Sequence, residues 1–276
     1  KLTVEEAAMG IVRIADASMI NSLKLVSVRR GYDPRQFTII AFGGGGPMHA
    51  ATLARDLRAK KVIVPTAPGV FSAWGMLMAD LRRDYIRTQI RRTDQCAPSL
   101  IAELFVDMER RAAEDLAGEN VVEGRLVFQR FADMRYVGQE HTVKVPIPAR
   151  ILTEADLAAI NEHFHRLHEH AYTFRLASPV EIVNYHLTAI GAVTKPTVGK
   201  ITPSRGRSVE AARKGERSVM FDGSFLLTPT FERSLLPAGA ELSGPLIVEE
   251  PAATTVVLPG QRMTVDDFGF LHIEEE

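Results

Sequence analysis

The start of the chain alternates apolar and polar residues with a helical period. Val4, Ala8, Ile11, Ala15, Met19, Leu23 and Val26 recur at three- and four-residue steps and predict a helix with one apolar stripe. Thr3 is its expected N-cap. Glu5 and Glu6 sit in the first turn, where the helix dipole favours anions, and Arg29, Arg30 and Gly31 suit the stop. The period then changes. Phe37-Thr38-Ile39-Ile40-Ala41-Phe42 and Val62-Ile63-Val64 are short unbroken apolar runs, which predict strands buried on both faces. Between them, Gly43, Gly44, Gly45 and Gly46 lead into Pro47, a residue suited to a first helical turn, and a helix is expected from Pro47 to Arg58. A strand-loop-helix-strand order implies parallel strands joined by a right-handed crossover. Another helix is expected near Ser72, with Ser72 as its N-cap, after Pro68-Gly69.

From residue 81 to 195 the pattern alternates element types. Residues 84–92 predict a charged edge strand, 99–117 a helix closed by Gly118, and 123–136 with 140–146 a hairpin around Val137-Gly138-Gln139. A helix over 153–171 starts at Thr153, with Asp156 as capping-box partner, and 180–193 predict a last strand. The order β-α-β-β-α-β is that of a ferredoxin-like split motif. The stretch 196–215 is rich in Pro, Gly, Ser, Thr and Arg and is expected to be a linker. Over 216–276, apolar runs are broken by Asp222-Gly223, Pro237-Ala238-Gly239, Ser243-Gly244-Pro245, Pro259-Gly260 and Asp267-Phe268-Gly269, which predicts a small β domain with a solvated tail at Glu274 to Glu276. The expected division is therefore 1–80 (α/β), 81–195 (α+β), a linker over 196–215, and a small β domain over 216–276.

Composition adds limits. The 276 residues are 46% hydrophobic, enough to build cores, and the net charge of −1 provides no broad basic field for nucleic acid or an anionic membrane. No apolar run is long enough to span a bilayer, and no signal-peptide pattern opens the chain. Cys96 is the only cysteine, so an internal disulfide and a cysteine-based zinc site are excluded, and a reducing cytoplasm is the expected setting. Opening directly into a helix without methionine, the sequence reads as a fragment or a processed form.

The main chemical signal is Ala41-Phe42-Gly43-Gly44-Gly45-Gly46-Pro47-Met48-His49-Ala50. Glycines without Cβ atoms allow close approach of a ligand and positive φ, and the free N–H groups of a helix start favour an anion. The pattern has neither the Lys-Ser/Thr of a Walker loop nor G-x-G-x-x-G spacing. The residues alone leave two readings open: a ligand ledge or a tight packing turn. His49 is placed to reach a phosphate, to transfer a proton, or to pack locally. Trp74 is expected in a core. Asp133, Arg135, Tyr136 and Gln139 cluster near a turn as candidates for a substrate or interface contact, or for a fold-maintaining hydrogen-bond set, with Asp133 and Arg135 on one strand face. His163, His165, His168 and His170 lack metal-site spacing and are expected on a solvated helix face, so no metal site is assigned. Cys96 carries no nucleophile pattern.

Several motifs in order resemble the hydantoinase A / N-methylhydantoinase A / 5-oxoprolinase family, to which β-type subunits of acetone carboxylases also belong. They are Arg30-Gly31-Tyr32-Asp33-Pro34-Arg35, the glycine stretch 41–50, Val64-Pro65-Thr66-Ala67-Pro68-Gly69-Val70-Phe71-Ser72-Ala73-Trp74-Gly75, Asp133-Met134-Arg135-Tyr136-Val137-Gly138-Gln139, Val183-Asn184, Gly244-Pro245-Leu246-Ile247-Val248-Glu249-Glu250-Pro251 and Thr254-Thr255-Val256-Val257. The resemblance spans nearly the whole chain. It implies residues 1–80 as part of the second half of an actin-like ATPase domain, and an activity coupling ATP hydrolysis to opening of a cyclic amide such as hydantoin, N-methylhydantoin or 5-oxoproline. Within it, Gly43, Gly44, Gly45, Gly46, Pro47 and His49 lie beside the nucleotide, with four glycines where the family commonly has an alanine among them. ATP and Mg²⁺ are the implied cofactors. The family's Asp-x-Gly-Gly-Thr phosphate loop is absent from this sequence, so the nucleotide is expected to be held mainly by an N-terminal half outside it. That half and a hydantoinase B-type subunit are the implied partners. The alternatives are a non-catalytic docking module and a subunit of a ketone carboxylase. A sugar or acid kinase of the same superfamily is disfavoured by the long C-terminal extension.

Overall fold

The computed structural model describes residues 2–119, 121–201 and 208–276. Two compact units result, Met78–Lys195 and a second made of Lys1–Leu77 with Pro196–Glu276.

In the two-segment unit, α1 (Val4–Val26) starts with a capping box in which the Thr3 hydroxyl accepts from Glu6 N and Glu6 Oε2 accepts from Thr3 N. The expected apolar stripe does not enter a core. Val4, Ile11 and Val26 of the stripe are 82%, 70% and 58% exposed, and the buried residue of the helix is Asp16. Next come β1 (Thr38–Ile40), α2 (Gly46–Leu57), β2 (Lys61–Val64) and α3 (Phe71–Leu77). As expected, β1 and β2 are parallel, with Ile39 opposite Val62. Only β2 contributes buried side chains, Val62 and Val64. β1 is an edge strand with Ile40 exposed, so the expectation of burial on both faces fails there.

The continuous unit follows its pattern closely. β3 (Leu81–Arg92), α4 (Pro98–Leu116), β4 (Val121–Tyr136), β5 (Val143–Ile147), α5 (Glu154–Tyr172) and β6 (Val180–Val193) form one antiparallel sheet in the order β3-β6-β4-β5. β6 thus lies between the two strands joined by α4. The helices bury Ile101, Phe105, Met108, Leu157, Ile160 and Phe164 against the inner face of the sheet. The Thr153–Asp156 capping box forms, and the Arg150 guanidinium beside Asp156 holds that carboxyl down to about 2. On the inner face, Arg130 donates to both oxygens of Glu109 at 2.7 and 2.9 Å, with its guanidinium 5.3 Å above the Phe105 ring.

The chain then returns to the first unit with β7 (Arg213–Phe221), β8 (Ser224–Glu232), β9 (Glu241–Ser243), β10 (Leu246–Glu250), β11 (Ala253–Val257), β12 (Gln261–Val265) and β13 (Leu271–Glu275). The expected linker 196–215 partly lies outside the described residues, and β7 already begins within it. Asp222 and Gly223 both take positive φ and close the β7–β8 hairpin, as their dipeptide predicts. The separate β domain over 216–276 does not materialise. β13 pairs antiparallel with β2, giving the sheet β1-β2-β13-β12-β9, and the sheet β11-β10-β8-β7 shares the same core through Phe231, Leu246, Val248 and Val257. The physical reason is β2. With only β1 beside it, its second edge would be unpaired and Val62 and Val64 uncovered. Glu274 and Glu275 of the expected tail are likewise part of β13: Glu275 accepts from Gln261 Nε2 and Glu274 pairs with Arg262.

One buried cation holds this unit together. Arg233 donates to the carbonyls of Val64, Pro65 and Gly269 at 3.0, 3.2 and 2.8 Å, and stands 3.4 Å from Glu250. Burial pushes the Arg233 pKa down and that of Glu250 up. The pair ties the end of β2 to β10 and to the turn before β13, at the root of the loop carrying Pro68 and Gly69.

Candidate functional site

The glycine run forms a ledge backed on one side and open on the other. Gly43 has φ +84°, a conformation that favours glycine, and donates its N–H to Pro68 O at 2.7 Å. A Cβ on Gly44 would lie 3.2 Å from Ala252 O, and one on Gly69 would lie 2.7 Å from Ala252 Cβ. The β10–β11 turn therefore packs against both loops at positions where only glycine fits without adjustment. Gly45, the N-cap of α2, has φ −95° and nothing within 4 Å of an added Cβ. The amides of Gly44 and Gly45 have no acceptor among the described residues, and both residues are exposed. Pro47 is buried and has no N–H to offer, while Met48 N turns back to Gly45 O at 3.2 Å. The donors facing outward are thus fewer than a helix start normally provides.

His49, in the first turn of α2, has a partner that its sequence position did not reveal. Its Nδ1 lies 2.7 Å from Asp16 Oδ1 on α1. The carboxylate is buried, with 9% of its side chain exposed, and the imidazole keeps 21%. The sequence offered no clear signal for this contact, because Asp16 is one of several charged residues on α1 and only its burial, where a carboxylate needs a donor, sets it apart.

Trp74 is not in a core. It is half-buried and stacks on Phe71 at 5.2 Å, and Phe71 meets Phe42 at 5.7 Å. These aromatics continue the ledge beyond Gly43. Ser72 is not the N-cap either: it lies inside α3, which is preceded by a 3-10 turn over Pro68–Val70.

The cluster Asp133, Arg135, Tyr136 and Gln139 divides between two faces of the sheet. A bulge leaves Val183 unpaired, with Asp133 opposite Asn184 and Met134 opposite Ile182. Outward, Asp133 Oδ2 accepts from Asn184 Nδ2 at 2.9 Å and from His186 Nε2 at 2.6 Å, while Arg135 donates to Glu181 at 2.8 Å. Inward, the Tyr136 hydroxyl bonds His165 Nδ1 at 2.7 Å and accepts from Leu176 N at 3.0 Å. His168, 1% exposed, lies between Gln139 Oε1 and Phe174 O. The four histidines therefore do not share a solvated face: His168 and His165 turn inward because α5 packs that side on the sheet, and burial lowers the His165 pKa. A shallow cavity of 460 Å³ is lined by His165, Arg175, Leu176, Ala177 and Ser178, with Arg175 already paired to Glu162. Among the described residues, no three His, Cys, Asp or Glu side chains converge to hold a metal. Cys96 is buried, and burial pushes its thiol up, away from nucleophilic use.

The profile of the family described as Hydantoinase/oxoprolinase matches residues 1–85, and that of the Hydantoinase/oxoprolinase C-terminal domain matches residues 89–276. An uncharacterized protein of Methanocaldococcus jannaschii is 34% identical over 99% of this chain, which covers 38% of that protein. The caprolactamase subunit alpha of Pseudomonas jessenii is 30% identical over 96% of this chain and 39% of its own length. Among solved structures, the nucleotide-free acetone carboxylase, from a study of ATP-dependent acetone carboxylation, superposes with a TM-score of 0.85 at 22% identity, over 100% of this chain and 40% of that one. The fold is therefore shared across the whole chain, which spans about two fifths of the length of these relatives.

Proposed function

This chain belongs to the hydantoinase/oxoprolinase family, and on that premise we propose that it is the C-terminal portion of an ATP-dependent subunit that opens a cyclic amide. In this reading, α2 with its glycine ledge belongs to the second half of an actin-like ATPase domain, and the unit Met78–Lys195 is an appended ferredoxin-like module. The single observation that carries the reading is the ledge itself. Exposed Gly44 and Gly45 amides without acceptors among the described residues stand beside a helix start, and the side of Gly45 on which a Cβ would sit is open within 4 Å.

The residues fit part of a nucleotide. Gly44 and Gly45 would hold a polar edge or phosphate, with Phe42, Phe71 and Trp74 as adjacent apolar surface. ATP would supply phosphorylation of a carbonyl oxygen. Residues 42–48 contain no cation and Asp16 is committed to His49, so in this reading charge neutralisation and Mg²⁺ fall to the N-terminal half of the longer subunit. That half also accounts for the exposed apolar residues of α1. A hydantoinase B-type subunit is the second proposed partner, and hydantoins, 5-oxoproline and related lactams are the substrate class. A ketone carboxylase subunit is the second reading, favoured by 31% identity over 99% of this chain to the acetophenone carboxylase gamma subunit of Aromatoleum aromaticum.

Calorimetric titration with Mg-ATP and a coupled ADP-release assay test this. The isolated chain is expected to show no hydrolysis. The full-length subunit with its partner is expected to show hydrolysis stimulated by a cyclic amide. Hydrolysis by the isolated chain contradicts the requirement for the N-terminal half, and stimulation by ketone plus bicarbonate alone contradicts the cyclic-amide assignment.

A further inference from the structure

We propose that Arg233 is a positioning residue for the glycine ledge, acting through the strained backbone of Ala67; this rests on the nucleotide reading above. Ala67 takes φ 49° and ψ 53°, in the left-handed region. For a residue with a Cβ, that region is disfavoured by about 5–30-fold in population. Ala67 also precedes Pro68, and a residue before proline is normally driven to extended backbone. Its own side chain offsets none of this, being an exposed methyl without a polar group. Such a conformation persists where the surroundings impose it.

Both sides of Ala67 are held. Upstream, Arg233 Nη2 donates to Val64 O at 3.0 Å and to Pro65 O at 3.2 Å. The guanidinium is itself anchored by Gly269 O at 2.8 Å and by Glu250 at 3.4 Å. Downstream, Pro68 O accepts from Gly43 N at 2.7 Å. Returning Ala67 to extended backbone would swing Pro68 O away from Gly43 and release the start of the run that presents the Gly44 and Gly45 amides. Glu250 in turn leads into the turn whose Ala252 stands against Gly44 and Gly69. One buried guanidinium therefore sets the loop on one side of the ledge and the turn that backs it. Satisfying three carbonyls accounts for a buried arginine, but it does not call for a strained, exposed alanine. Holding Pro68 O on Gly43 does. A ledge formed in a fraction of the molecules binds its ligand more weakly by that fraction.

The test uses the full-length subunit with its partner subunit. ADP is titrated calorimetrically, and amide hydrogen exchange is followed without nucleotide on peptides containing Gly43. Arg233→Lys keeps the cation but lacks the planar fork that spans the carbonyls. Its ADP affinity is expected to fall about 5–30-fold, and the Gly43 amide to exchange faster by a similar factor. Adding Ala67→Gly, a residue at ease in the left-handed region, should return both to within about threefold of wild type. The urea midpoint should stay at the Arg233→Lys value, since the carbonyls still lack their donor; a structural role alone predicts no such rescue. Ala67→Val leaves Arg233 in place and adds its methyls on the surface. A β-branched residue is worse still at positive φ, so its ADP affinity should fall at least about fivefold, whether or not Arg233→Lys folds. Wild-type ADP affinity in Arg233→Lys or in Ala67→Val overturns the proposal, and so does a double variant that regains nothing. The exchange measurement separates the two claims. A wild-type subunit that binds no ADP refutes the nucleotide reading, whereas unchanged Gly43 exchange in Arg233→Lys refutes the positioning role alone.

Discussion

Replacing Arg233 with alanine should cost about 3–5 kcal/mol of unfolding free energy, the range for removing one partner of a buried ion pair. Both Arg233 and Glu250 have side chains 8% exposed, so water cannot substitute for the lost cation. Three carbonyls, those of Val64, Pro65 and Gly269, lose their donor together. Small domains are stable by about 5–15 kcal/mol in all, so urea titration of this variant should show a large fall in midpoint. The deficit should depend on pH with a definite sign. Burial raises the Glu250 pKa above its ordinary value of 4.5, and Arg233 opposes that rise. A carboxyl with a raised folded pKa contributes stability that is complete below its unfolded value and is lost as pH climbs through the folded one. Without Arg233 the folded value rises further. The variant should therefore be closest to wild type near pH 4 and furthest from it at pH 8. Arg233→Met combined with Glu250→Leu should recover only the part of the loss due to the unpaired carboxyl, because the three carbonyls remain without their donor. A deficit that is the same at both pH values would remove Glu250 from this explanation.

Gly45→Val should reduce ATP turnover of the full-length subunit by about 100-fold or more, the scale of a misplacement of about 1 Å at a reacting group. Its unfolding midpoint should change little. An added Cβ at Gly45 meets nothing within 4 Å and φ is −95°, so the ligand-free fold accommodates valine. The loss of a favourable N-cap residue limits the structural cost to about 1 kcal/mol. Gly69→Ala is the opposite case. Its Cβ would stand 2.7 Å from Ala252 Cβ, so it should perturb the fold first and function through it. A Gly45→Val variant with full turnover would show that nothing approaches that side of the loop.

Local chemistry was legible in the sequence where it acts over a few residues. Thr3 with Glu6, Thr153 with Asp156, and Asp222 with Gly223 each contain their own hydrogen-bond partner or φ requirement within three residues. The β-α-β-β-α-β order was legible because each element of Met78–Lys195 has its own period. Two kinds of feature were not. Long-range pairing was missed: nothing near Val62 or Ile273 says that β2 and β13 adjoin, because either strand alone reads as a generic buried run. Single-residue irregularities were missed as well. One extra residue at Val183 reverses the alternation of β6 and brings Asn184 and His186 to Asp133, whereas a regular strand would not have placed them so. The glycine loop was visible as a motif, but its backing by Ala252 and the Asp16–His49 contact depend on chain segments 208 and 33 residues away. The latter separation is short, yet helix period directs attention to apolar positions, and nothing local distinguishes Asp16 from the other charged residues of α1.

The central claim concerns the outward amides of the glycine ledge, and a crystal structure of the full-length subunit soaked with ADP and Mg²⁺ tests it most directly. The account predicts nucleotide oxygen or nitrogen atoms within about 2.7–3.2 Å of the Gly44 or Gly45 amide nitrogens, the ordinary hydrogen-bond range. A well-occupied nucleotide bound elsewhere, with Gly44 and Gly45 covered by side chains of the N-terminal half, would contradict it.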